Sequence, residues 1–198
     1  CSYATCAEDG LGNNPPLVIE LFGQPGAGKS TLVRAAGPVA ELKTTAQLGS
    51  AWRRQSGAAK LFLIGRAMLD GPCLASAIRL AMQARLSRAD SLSRLFRLVI
   101  KSHWLRSQTG MLLLEEGHLQ ELWSIFYSAG RTDPDPRLLT PLIACLYRGL
   151  NTQILFLDVD AEQLFARIRG RAHGKSRLDR RAEPELRQQL AATAQLPH

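Results

Sequence analysis

No run of apolar residues in this 198-residue chain approaches the roughly 20 needed to cross a bilayer as a single helix. No secretory signal is visible behind Cys1, and a cytoplasmic location is expected. Cysteine is scarce: Cys1 and Cys6 fall in a polar leader, and Cys73 and Cys145 fall in apolar surroundings that suit reduced core thiols. None of the four has the paired spacing of a zinc site, and His103 and His118 have no metal-like partners at helical spacing. Aromatics make up 6% of residues, and Trp52, Trp104 and Trp123 read as packing residues rather than base-stacking platforms. There is no Asn-Lys-x-Asp motif of the kind that accompanies GTP specificity, and no helix-turn-helix or zinc pattern, so nucleic acid is an unlikely partner. Internal repeats and low-complexity tracts are absent as well.

Lysine is confined to positions 29, 43, 60, 101 and 175, yet the net charge is +8, so the basic excess is mostly arginine. Arginine grips phosphate oxygens in pairs where lysine acts as a point charge, and the balance favours anionic partners. With 45% hydrophobic residues the chain is long enough for one α/β domain with a substantial core. Residues 1–16, with Gly10, Gly12, Asn13, Asn14, Pro15 and Pro16, read as a flexible leader, and 17–198 as a single domain.

Within that domain, 17–22 form a nearly continuous apolar run, expected to be a central strand buried on both faces. A helix is expected over 28–42, disturbed or ended early by Gly37 and Pro38. Residues 43–50 are ambiguous, and a second strand is not evident there. Residues 51–107 have helical periodicity and form a helical insert, divided at Gly71 and Pro72, with Asp90 or Ser91 as a cap for its last helix. A short apolar run over 111–114 ends in Glu115 and Glu116, and another over 154–157 ends in Asp158. Helices are expected at 118–129, from the 133–136 turn to 150, at 161–170, and from Pro184 to the end. Strands alternating with helices predict a three-layer α/β fold with a mainly parallel sheet, whose ligands bind at the carboxyl ends of the strands.

The most specific signal follows the first strand. Gly23, Gln24, Pro25, Gly26, Ala27, Gly28, Lys29, Ser30 and Thr31 spell the P-loop pattern G-x-x-x-x-G-K-S/T between a strand and a helix. In such a loop the backbone N–H groups wrap a phosphate and the helix adds the positive end of its dipole. Lys29 is expected to reach the β- and γ-phosphates of ATP, and Ser30 to ligate Mg²⁺. Glu115, ending its apolar run, is the expected acid for the metal and its waters. The adjacent Glu116 points elsewhere on an alternating strand, either toward an acceptor as base or toward the next helix as a cap. Arg167, Arg169, Arg171, Lys175, Arg177, Arg180 and Arg181, interleaved with Gly170 and Gly174, suit an arginine-rich lid over about 171–182; the plainer alternative is a basic surface loop. Arg79, Arg85, Arg88, Arg94, Arg97, Lys101 and Arg106 read as the solvated face of amphipathic helices, with an anionic acceptor or a membrane surface as the alternatives.

Three segments together resemble the P-loop nucleoside and nucleotide kinases, closest in layout to thymidylate kinase: 23–31, 112–120, and 157–160 with 164–171. The resemblance implies an ATP-dependent phosphotransferase in which Arg167 and Arg171 occupy the Arg-x-x-x-Arg positions before a lid, and Asp179 with Arg180 resembles the lid's closing pair. It implies ATP and Mg²⁺ as cofactors, a small anionic or hydroxyl-bearing acceptor, and leaves room for a homodimer. The family's Asp-Arg pair for the acceptor has no counterpart: Arg53, Arg54 and Arg66 lack the right neighbours. The further strand and helix beside adenine also have no apolar run before His198, so a truncated sequence or a differently built adenine site is expected. A sugar or a sulfated nucleotide therefore stays open as acceptor. The alternative function is a P-loop ATPase acting as a nucleotide-dependent regulatory or binding module, with Gln120 orienting a water.

Overall fold

The computed structural model describes residues 15–37, 42–83, 89–128 and 135–170, with Pro184 beside them. The leader before Pro15, Arg171, the lid over 171–182 and the closing helix lie outside the described residues, as do Cys1, Cys6, Arg85 and Arg88.

Four strands form one all-parallel sheet in the order β2-β3-β1-β4: β1 (Leu17–Gly23), β2 (Leu42–Thr44), β3 (Met111–Leu114) and β4 (Asn151–Leu157). The helices among the described residues are α1 (Lys29–Ala36), α2 (Thr45–Arg54), α3 (Gly57–Leu69), α4 (Gly71–Gln83), α5 (Ala89–Arg106), α6 (His118–Ser128), α7 (Pro136–Tyr147) and α8 (Ala161–Arg169). The expected α/β class and parallel sheet are present. None of these helices is long and apolar enough to cross a membrane by itself.

Side-chain alternation along the strands builds the layers. Val18, Leu112 and Leu114 face one way, onto Leu48, Leu63, Trp104 and Leu105 of α2, α3 and α5. Ile19, Leu21 and Leu113 face the other way, onto Val33 and Ala36 of α1. A separate apolar cluster joins α4, α5, α6 and α7 through Cys73, Leu80, Leu98, Ile125 and Leu146. Trp52 and Trp104 pack edge to face, their centroids 5.6 Å apart, as the expected packing role requires.

Several boundaries differ from expectation. The first helix stops at Ala36, where the Gly37 N–H turns back to Arg34 O and Pro38 follows in sequence. The unrecognised second strand is β2, three residues that pair with Met111–Leu113. Thr44 ends it and opens α2, with its N–H donated to the Gln47 side chain at 2.8 Å as half of a capping box. Neither Asp90 nor Ser91 caps α5, which already includes Ala89. β4 starts at Asn151, ahead of the apolar run, because its polar first residues pair with Leu17–Ile19. Asp70 separates α3 from α4: its N–H closes the first helix on Arg66 O and its carbonyl accepts from Leu74 N.

Candidate functional site

Residues 23–31 join β1 to α1 at the carboxyl edge of the sheet, and the local chain is shaped by close approach. A Cβ on Gly23 would lie 2.8 Å from Leu157 O of β4. Gly26 and Gly28 have φ of 100° and 101°, a left-handed conformation that side chains disfavour. A Cβ at Gly26 would press on Ile168 of α8 at 3.2 Å. The loop is closed by Ala27 N to Gln24 O at 3.1 Å, and Gly28 O accepts from Thr31 N and Leu32 N. Lys29 Nζ curls over the loop and donates to Gly23 O at 2.5 Å and Gln24 O at 3.1 Å.

Opposite the loop stands the end of β3. The Glu115 carboxylate accepts a hydrogen bond from Ser30 Oγ, so the two oxygens converge across 85 residues of sequence. Glu115 is held from behind: its N–H donates to Thr45 Oγ1 at 2.8 Å, at the start of α2. A hydroxyl and a carboxylate are the hard donors that a cation such as Mg²⁺ takes. No group of three His, Cys, Asp or Glu is placed for a metal among the described residues.

Loop and strand end open onto a cavity of about 860 Å³. Pro25, Gly26, Gly28, Lys29, Ser30, Thr31, Glu115 and Glu116, all expected site residues, line it. So do Arg34, Arg94, Gln120, Glu121, Trp123 and Ser124, which form the wall opposite and beside the loop. Arg94 Nη2 donates to Ser124 Oγ at 2.9 Å, tying α5 to α6. Lys101 pairs with Glu121 and also donates to Glu116 O at 2.6 Å. Gln120 Oε1 accepts from Gly23 N at 3.4 Å, linking α6 to the loop. Arg167 lies at the loop's other side, with Nη1 3.4 Å from Ala27 O. Its expected helical partner Arg171 lies outside the described residues. Asp158, also at a strand end, does not line the cavity; Asp160 caps α8 by accepting from Glu162 N and Gln163 N.

Arg94, read as part of a solvated face with an anionic acceptor as the alternative, borders the cavity, and so does Trp123. One expectation needs correction: Arg106 is not on a solvated face, since it donates to Arg148 O at 2.7 Å and Cys145 O at 2.8 Å, beside the buried Asp70.

The least expected residue is Glu20, a fully buried carboxylate in the middle of β1. Its Oε1 accepts from Leu119 N at 2.7 Å and Gln120 N at 3.4 Å, and its Oε2 accepts from Tyr147 Oη. These are first-turn N–H groups of α6, so Glu20 takes the capping role that was an alternative for Glu116. Burial and the neighbouring Glu20 charge push the Tyr147 phenol far above its ordinary value. Next to this group, Ser102 Oγ donates to Leu146 O and lies 3.0 Å from His118 Nε2. Ser102 therefore accepts the Nε2 proton, and Nδ1, which has no hydrogen-bond partner among the described residues, is the bare nitrogen. Burial, with Lys101 and Arg106 nearby, lowers His118 to about 3, so the ring is neutral. A single hint of Glu20 exists in the sequence, a lone charge inside an apolar strand. Of the residues lining the far wall, Gln120 and Arg94 had functional readings from the sequence, whereas Arg34, Glu121 and Ser124 had none.

The chain matches no protein-family model, no curated protein and no solved structure.

Proposed function

We propose that this protein is an ATP-dependent phosphotransferase acting on a small-molecule acceptor, in the manner of the P-loop nucleoside and nucleotide kinases. The observation that carries the reading is the convergence of Ser30 and Glu115 beneath a glycine loop that holds Lys29, at the mouth of a roughly 860 Å³ cavity. That volume suits a ligand of nucleotide size.

In this reading Lys29 releases Gly23 O and Gln24 O and reaches the β- and γ-phosphates, while the loop N–H groups cradle them. Ser30 and Glu115 hold Mg²⁺, directly or through water, and Thr45 keeps Glu115 in place. The ion, when bound, neutralises charge on the transferring group. Arg34 and Arg94 bring positive charge to the cavity wall, and Arg167 to the loop's far side. Glu116 is exposed at the cavity edge, where it can accept the acceptor's hydroxyl proton as its oxygen attacks the γ-phosphorus and ADP leaves.

Lys29→Ala is expected to cut acceptor-dependent ADP formation by about 100-fold or more, in line with the loss of a transition-state donor, with an unchanged circular-dichroism spectrum. A thermal-shift screen of candidate acceptors with a non-hydrolysable ATP analogue identifies the substrate, because a ligand that binds only the native state raises the Tm. Full activity in Lys29→Ala overturns the assignment. One observation favours the second reading, a nucleotide-hydrolysing regulatory module: Gln120 is already tethered to the loop at Gly23 N and lines the cavity, where it can orient a water. Hydrolysis that rises with a protein partner and ignores every small acceptor selects that reading.

A further inference from the structure

We propose that the outward faces of α3 and α4 form a docking surface for an anionic lipid bilayer. The two helices meet at Asp70 at an angle of 74°. Their inner faces are committed to the core through Leu63, Ala67, Cys73, Ala77, Leu80 and Ala81. Ordinary amphipathic helices would turn polar residues outward. Here α3 turns out Leu61, Phe62, Met68 and Leu69, and α4 turns out Ile78 and Met82. Leu69, at the corner, is 86% exposed, Met82 73%, Leu61 68% and Phe62 65%. So many large apolar residues exposed on two successive helices of a folded chain mark an interaction site.

Charge selects the partner. From Leu42 to Ala89 the sequence contains one acid, Asp70. That carboxylate is buried and taken by Arg148 and His103, so it offers nothing to the surface. Over the same stretch Arg53, Arg54, Arg66 and Arg79 are exposed, and the Arg66 guanidinium lies over the Phe62 ring, 5.9 Å from its centroid. A second copy of the chain would bring the same positive charge to the same face, and like charges across an interface oppose association. An anionic membrane offers the opposite charge and an apolar layer together. Exposed apolar residues bordered by arginine are the mark of helices that lie in the bilayer interface. Neither helix is long and apolar enough to cross a bilayer by itself, and the inner faces of both are buried in the core. The inference is independent of the phosphotransfer reading.

The full chain is sedimented with vesicles of phosphatidylglycerol and phosphatidylcholine, and with vesicles of phosphatidylcholine alone. Binding to the anionic vesicles alone is expected, and it is lost at about 1 M salt, where charges beyond about 3 Å are screened. Leu69→Asp and the double variant Arg66→Gln/Arg79→Gln are each expected to bind about tenfold more weakly. Both alter exposed side chains, and circular dichroism verifies that the fold is retained. Absence of vesicle binding overturns the proposal, as does equal binding to both vesicle types or unchanged binding by Leu69→Asp. Light scattering that shows a dimer broken by Leu69→Asp, without vesicle binding, assigns the face to a second copy instead.

Discussion

Glu20 and Gly117 meet in space from two distant parts of the chain. A Cβ on Gly117 would overlap the Glu20 carboxyl carbon, so no side chain fits there while the carboxylate caps α6. Gly117→Ala is expected to lower the unfolding free energy by about 2 kcal/mol, the range of overpacked buried sites. Glu20→Ala is expected to cost a similar amount by orphaning Leu119 N, Gln120 N and Tyr147 Oη. The double variant should lose less than the sum by about 1 kcal/mol or more, because removing the carboxylate makes room for the methyl. Urea denaturation of the three variants measures this, and strict additivity would refute the steric account. Neither residue's role was legible in the sequence. Gly117 follows two acids in what reads as an ordinary turn, and the partner that makes it obligatory lies about a hundred positions upstream. The 23–31 loop was legible because its glycines and Lys29 lie together in sequence, although Glu115, Gln120, Leu157, Leu164, Arg167 and Ile168 reach it from far along the chain.

At the level of elements, a single buried carboxylate ties together the corner of the helical region. Asp70 accepts two hydrogen bonds from Arg148 Nη2, at 2.7 and 2.9 Å, and one from His103 Nε2 at 3.1 Å. It thus joins the α3–α4 corner to α5 and to the end of α7. Burial raises its carboxyl pKa, but the hydrogen bonds and charge of Arg148, with Cys73 N–H and His103, outweigh this and hold it below its usual value. Arg148→Ala leaves that carboxylate with His103, Arg106 and the Cys73 N–H but without its strongest partner. The full cost of stranding a buried charge is about 3–5 kcal/mol. The Arg148 side chain is 55% exposed, so water screens part of the interaction and about 1–2 kcal/mol is expected. A shift of the urea midpoint measures it, and an unchanged midpoint would mean that Arg148 contributes nothing to the corner. Element existence was largely legible here: the apolar periodicity marks α5, the Gly71-Pro72 break marks the corner, and the apolar run marks β3. Elements set by pairing were not. β2 is too short to show a period, and β4 recruits Asn151, Thr152 and Gln153 only because β1 lies beside them. The cavity's far wall was hidden for a related reason: Arg94 and Trp123 sit on different helices, and only the approach of α5 to α6 makes them neighbours of the loop.

The molecule as a whole carries a built-in sensitivity to acid. His118 is neutral in the fold, with its pKa at about 3 against 6.5 for the free side chain. Between those values the unfolded chain binds a proton that the native state refuses, so stability is lost as pH falls through that window, by at most about 1.4 kcal/mol per pH unit. His103 is also lowered, by burial first and then by Arg106, and adds to the loss below its free value of 6.5. Asp70, lowered from 3.8, acts in the same direction at the acid end: its contribution is present above 3.8 and disappears as the carboxylate protonates. The urea midpoint is expected to fall steadily from pH 6.5 to 4.5. His118→Gln, which keeps a donor for Ser102 without a titrating group, should flatten that slope to the part left by His103. An identical slope in the variant would show that His118 does not titrate as its burial requires.

The strand order has a consequence in time as well as in space. β1 is made before the two strands that flank it, which begin at Met111 and Asn151. At about 5–20 residues per second, synthesis leaves an apolar strand without either neighbour for roughly 5–20 seconds. An uncharged stretch of this kind is a template for pairing with other chains, and a single charge inside it is an effective deterrent. Glu20 supplies that charge while Leu17–Gly23 waits. Once Leu119, Gln120 and Tyr147 arrive, the same carboxylate becomes an internal fastener, so the residue that delays unwanted pairing in the nascent chain also secures the finished site.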